Sequence, residues 1–134
     1  MTTSELFLAH LGNIGNPTNT EIYSDDLKVE FAYAPKHHTQ GLSGIEAIVR
    51  FLTNVGVYFE GYTVSNVRLI EGQDPDVVVA EFHGSAVSKE TGLGYEQEYI
   101  VVVRAKNGKI DHMREFYNPV HVLVATGEIE EPGE

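Results

Sequence analysis

Two glutamates and a histidine lie in strand-like surroundings where charge is out of place. Glu81 interrupts Val77-Val78-Val79-Ala80, and His83 follows it after Phe82. Glu115 stands between Met113 and Tyr117. A carboxylate in an apolar site holds its proton to higher pH than usual, which suits it to general acid or base work. Two such groups on neighbouring strands would push their proton affinities apart and divide the acid and base roles. The simpler alternatives are an edge or interface charge for Glu81, and a salt bridge from Glu115 to Arg104 or Arg114. His37 and His38 lie in a polar loop, either as solvated side chains or as proton carriers at a pocket mouth. A metal held by His37, His38 and His83 would need a ligand spacing that the chain lacks, so no metal is expected. Neither a Gly-rich phosphate loop nor a Gly-x-Ser-x-Gly elbow is present, so no cofactor and no acyl-serine chemistry are expected.

These side chains need a scaffold. Thr3 or Ser4 is predicted to cap a short helix carrying Leu6, Phe7, His10 and Leu11, which Gly12 and Gly15 end. Asn16-Pro17 predicts a second short helix to about Tyr23, and Asp25-Asp26 a turn. Leu27, Val29, Phe31 and Tyr33 then alternate as a strand that Pro35 stops. Ser43 and Glu46 form a capping-box pattern ahead of a helix with the stripe Ile45, Ile48, Val49 and Leu52, ending near Asn54 to Gly56.

Strands are predicted over 62–70, 77–88 and 95–105. Asn107-Gly108 then turns the chain into a last strand from Ile110 to about Val124. In that strand Asp111, Met113, Glu115 and Tyr117 share one face. Helices before long antiparallel strands read as α+β: short helices packed on a strongly curved, mainly antiparallel sheet enclosing an apolar pocket. One domain over 1–126 is expected, with 127–134 as an acidic flexible tail. Both faces of the later strands are apolar, as in Val101-Val102-Val103, which predicts a homodimer through the sheet.

The 134 residues carry a net charge of −11 with only nine Lys and Arg, so binding to nucleic acid or anionic membranes is not expected. Cysteine is absent, and no apolar run is long enough to span a bilayer. A soluble, cytoplasmic protein is the resulting expectation.

The stretch Tyr23-Ser24-Asp25-Asp26-Leu27-Lys28-Val29-Glu30-Phe31, the helix start Leu42-Ser43-Gly44-Ile45-Glu46-Ala47-Ile48 and the Asn107-Gly108-Lys109-Ile110 hairpin resemble the nuclear transport factor 2-like, SnoaL-like superfamily. Asp74-Pro75-Asp76 through Glu81, with Arg114-Glu115-Phe116-Tyr117-Asn118, look most like its PhzA/PhzB branch. The resemblance implies a cone-shaped α+β barrel with an apolar cavity, usually dimeric through its sheet. It implies cavity positions for Glu81, His83, Met113, Glu115 and Tyr117, and an acid/base role for Glu115. It also places Phe31 and Val101 where relatives carry catalytic aspartates, which argues against ketosteroid isomerisation and SnoaL-type aldol cyclisation by the familiar residues.

Two functions follow. One is a cofactor-free isomerase, cyclase or dehydratase acting on a small apolar or aromatic molecule. Glu115, Glu81 and His83 would be its catalytic residues, and Tyr33, Phe31, Tyr99, Val101, Met113, Tyr117 and His37 would line its site. The other is a non-catalytic binding or dimerisation domain of the same fold.

Overall fold

A computed structural model describes residues 1–131. The elements run α1 (Thr3–Leu11), β1 (Tyr23–Phe31), β2 (Gly41–Ser43), α2 (Ile45–Tyr58), β3 (Phe59–Glu71), β4 (Val77–Ser88), β5 (Gly94–Lys106), β6 (Lys109–Tyr117) and α3 (Pro119–Ala125). All six strands join one sheet in the order β2-β1-β6-β5-β4-β3. Only the β1–β6 pair is parallel. The sheet does not close, because β2 and β3 remain as edges. No helix among the described residues is long and apolar enough to cross a membrane.

Thr2, one residue earlier than expected, caps α1. Its hydroxyl accepts from Glu5 N at 3.1 Å, and the Glu5 carboxylate accepts from Thr2 N at 2.9 Å. The helix expected over 16–23 does not form. Asn13 takes its place as organiser, donating to Asn19 O at 2.8 Å and accepting from Asn19 N at 3.1 Å. The loop's backbone groups are thus met by a side chain rather than by helical bonds. Asp25-Asp26 lies inside β1 and not in a turn, where the β1–β6 register skips between Tyr23 and Lys28.

β1 ends at Phe31, so Tyr33 leaves the alternation and stands 61% exposed. Ser43 closes β2, and Gly44 takes the N-cap of α2 at φ 88°, without any side-chain cap bond. The helix runs past Gly56 to Tyr58. There the backbone meets Gly15 so closely that a Cβ at Gly56 would stand 2.9 Å from Gly15 O. The last strand stops at Tyr117, well short of Val124. Asn118 then caps α3 by accepting from Val120 N at 3.0 Å.

Alternation fixes the sheet's faces. Val78, Ala80, Phe82, Gly84 and Ala86 of β4 are buried, as are Tyr95, Gln97, Tyr99, Val101 and Val103 of β5. Of these, Ala80, Phe82, Tyr99, Val101 and Val103 meet Leu6 and Phe7 of α1 and Ile48 and Leu52 of α2 in one core. Register shifts in the β1–β6, β3–β4 and β5–β6 pairs bend the strands around this core. One shift flips a face. Arg104 pairs with His112 and Ala105 with Ile110, so Asp111 is the extra residue. Ile110 and Met113 therefore both point inward, which simple alternation denied to Ile110.

Candidate active site

A cavity of about 480 Å³ lies between α1, α2 and the inner face of β1, β4, β5 and β6. Its wall is mostly apolar, with Phe7, Phe31, Ile48, Phe82, Val101 and Met113 among the lining residues. This is a normal size for a small-molecule site.

Glu115 projects into it from β6, flanked by Phe31 of β1 and Val101 of β5. Its side chain is half-buried and lines the cavity. Its carboxylate has no ion-pair or hydrogen-bond partner among the described residues. Arg114 instead meets Glu30 on the outer face, at 3.7 Å. Burial pushes the Glu115 carboxyl up to about 7.

Tyrosines surround this group. Tyr99 and Tyr117 were expected here; Tyr62 of β3 and Tyr95 of β5 were not. Burial raises Tyr62 and Tyr117 to about 12 and holds Tyr95 and Tyr99 well above the usual range, with the charge of Glu115 a lesser cause in all four. The phenols therefore keep their protons. Tyr95 and Tyr99 hydroxyls stand 2.9 Å apart, and buried Gln97 donates to Tyr95 Oη at 3.2 Å. Gln97 also donates to Asn118 O at 2.9 Å and accepts from Asn118 N at 3.0 Å, which ties the cluster to the start of α3. Gly84 makes room for it: a Cβ there would stand 2.5 Å from Tyr62 Oη and 2.9 Å from Tyr99 Cε2. The sequence signal for Tyr95 and Gln97 was their even spacing with Tyr99; nothing local marked Tyr62.

A second polar group enters from the helical layer. His10 lines the cavity, and its Nδ1 lies 2.7 Å from Tyr23 Oη. Asn13 donates to the same oxygen at 3.1 Å, and its amide orientation is fixed by the Asn19 bonds. With the Tyr23 hydroxyl as donor, His10 Nδ1 accepts and the ring carries its own proton on Nε2. Burial lowers His10 to about 4, so it is a neutral N–H donor at physiological pH.

Glu81 and His83 are not in the cavity, contrary to expectation. Both lie on the outer face of β4. Glu81 stands 3.8 Å from Arg68, and His83 Nδ1 stands 2.5 Å from Glu98 and Nε2 3.6 Å from Glu96. The Glu98 hydrogen bond raises the His83 imidazole. Both faces of β4 are apolar, so alternation separated two sets of residues without saying which set was inside. Tyr33 is also outside, edge-on to Phe116 at 5.6 Å between ring centroids.

His37 and His38 line the cavity mouth, and both meet Glu128. The start of the expected flexible tail is thereby held, with Glu128 N also bonded to Leu123 O at 2.9 Å. Residues 132–134 of that tail lie outside the described residues.

An open, curved α+β sheet with helices over an internal cavity defines the ketosteroid isomerase-like class of fold. Within it the chain belongs to the SnoaL-like domain family, whose model matches residues 17–113. An uncharacterised PhzA/B-like protein of Pseudomonas aeruginosa is 33% identical over 112 residues, covering 82% of this chain and 77% of the relative. A Bacillus subtilis protein provisionally named an isomerase superimposes with a TM-score of 0.85 at 25% identity, over 95% of this chain and 94% of its own. A phenazine biosynthesis-related protein of P. aeruginosa gives 0.82 at 18% identity, over 98% and 85%.

Proposed function

We propose that the protein is a cofactor-free acid–base catalyst of the isomerase or lyase type, acting on a small apolar or aromatic molecule. The observation that carries this reading is the unpartnered Glu115 carboxylate, facing an apolar cavity and ringed by four phenols. A buried carboxylate without a partner costs a fold several kcal/mol, so packing alone gives no reason for one. Glu115 would take a proton from a carbon next to a carbonyl. The phenols or the His10 N–H would donate to the oxygen on which charge develops. Returning the proton to another carbon is an isomerisation; giving it to a departing hydroxyl is a dehydration.

Exchange of α-protons from a panel of cyclic and aryl ketones in D₂O, followed by NMR, tests this without the natural substrate. Wild-type protein should catalyse exchange for at least one ketone. Glu115→Gln should reduce it by about 10²–10⁴-fold, the usual worth of a positioned acid or base. Equal rates in the two proteins, or no exchange with any ketone, would sink the proposal.

A non-catalytic binder of the same fold is the second reading, and the apolar Phe31 and Val101 in the cavity wall favour it. It requires ligand affinity that does not change in Glu115→Gln.

We also propose a homodimer through the outer face of the sheet. In support, the buried α1 and α2 core residues pack on the inner face, while the outer face carries Val77, Val79, Val102 and Phe116 half-exposed and Ile100 exposed.

A further inference from the structure

We propose that His37, His38 and Glu128 form a binding site for a divalent transition-metal ion of the zinc class at the cavity mouth. The three residues come from opposite ends of the chain. His37 and His38 follow β1, and Glu128 follows α3. Their ligating atoms, one from each, all lie within 4.8 Å of one another. His38 Nε2 is 2.8 Å from Glu128 Oε2, and His37 Nε2 meets Oε1. Two imidazole nitrogens and one carboxylate make a donor set that suits zinc and its neighbours, and not magnesium or calcium, which prefer oxygen alone. With bonds of about 2.0–2.2 Å, the donors of a zinc ion stand roughly 3.3 Å apart. Admitting the ion would open these two contacts by up to about 1 Å and draw together any donor pair that now stands wider, the limit being 4.8 Å.

The ligands sit on backbone that is already ordered. Gln40 Nε2 donates to Pro35 O at 2.7 Å and to His38 O at 3.1 Å, and His38 N donates to Pro35 O at 2.9 Å. On the other side Gly127, at φ 78°, turns the chain after α3. Thr126 Oγ1 donates to Glu128 Oε2 at 2.6 Å and orients the carboxylate. The His37 side chain is 63% exposed, which leaves the ion a way in. Both histidines also line the cavity, so the coordination position that three protein donors leave open is at its mouth. A small molecule with a carbonyl or hydroxyl oxygen could take that position on its way to Glu115.

The alternative occupant of the cluster is a proton, making it an ion pair that fastens the tail. Calorimetric titration of the full chain with ZnCl₂ in metal-free buffer, repeated with CoCl₂ under visible absorption, separates the two. The metal site predicts one ion per chain with micromolar or tighter affinity, and cobalt bands of four- or five-coordinate intensity. His38→Ala and Glu128→Gln should each weaken binding by at least tenfold while melting as the wild type does. Glu115→Gln should bind zinc unchanged, so this result stands apart from the catalytic proposal. No binding at 100 µM zinc, as an approximate ceiling for a built three-donor site, overturns the inference. So does unchanged affinity in Glu128→Gln, which would leave only an adventitious histidine pair.

Discussion

Glu115 and His10 both keep unusual protonation states, and their effects on stability have opposite signs. The folded Glu115 carboxyl titrates at about 7 rather than 4.5, so between those values the unfolded chain loses its proton first. Stability due to this group is greatest below about pH 4.5 and falls as pH rises to about 7. His10 titrates at about 4 rather than 6.5. Between those values the unfolded chain binds more protons, so stability rises with pH. The two slopes oppose one another between about pH 4.5 and 6.5, and a wild-type profile alone would hide both. Subtracting Glu115→Gln isolates the carboxylate. At pH 8 the variant should be more stable than wild type by on the order of 1–3 kcal/mol, with the gap closing toward pH 4.5 in urea titrations. A gap that stayed constant with pH would show that Glu115 titrates normally. Placing Glu115 in the cavity was within reach of the sequence, because Met113 and Tyr117 frame it at period two. The neutrality of His10 was not, because it follows from burial beneath the assembled fold, which a helical stripe in the sequence does not reveal.

At the scale of elements, the tyrosine cluster depends on one missing side chain in β4. Gly84→Ala would drive a methyl against Tyr62 Oη and Tyr99 Cε2. Overpacking of this kind costs about 1–3 kcal/mol. The variant should melt lower and also lose ketone exchange, because the phenols that share the cavity with Glu115 would be displaced. Lower stability with full exchange would mean that the cluster does not serve the chemistry. The long strands were readable because β4 and β5 repeat burial at every second residue. Element ends were harder, since one dipeptide type had two outcomes. Asn16-Pro17 starts no helix because Asn13 already satisfies its loop, while Asn118-Pro119 starts α3, with Gln97 gripping the Asn118 backbone. Asn13 acts from only six positions away, whereas Gln97 reaches the start of α3 from 21 positions away, beyond a local rule. The same holds for β2, a three-residue strand that exists through its pairing with Lys28 to Glu30.

For the whole molecule, the outer sheet face makes oligomeric state the measurement of choice. Sedimentation at micromolar concentration should give a dimer. Ile100→Glu, at an exposed outer position facing Glu81 on the neighbouring strand, should give a monomer that keeps its fold by circular dichroism. A wild-type monomer would remove the dimer proposal. Sequence pointed to this face through the paired valines of β4 and β5, but its charged residues were assigned to the wrong side. Glu81 and His83 belong to the exterior network with Arg68, Glu96 and Glu98.

The parallel pairing of β1 with β6 carries a consequence for how the chain is made. Residues 28–31 hydrogen-bond beside residues 112–115, more than 80 positions later. Loop closure over that distance must precede its reward, which places such topologies among slow folders. On a ribosome, β1, β2 and α2 emerge well before the strand that joins them to the rest of the sheet. Until Glu115 itself is synthesised, β1 has no inner neighbour and the cavity has no floor. The proposed catalytic carboxylate is thus delivered by the strand that completes the sheet.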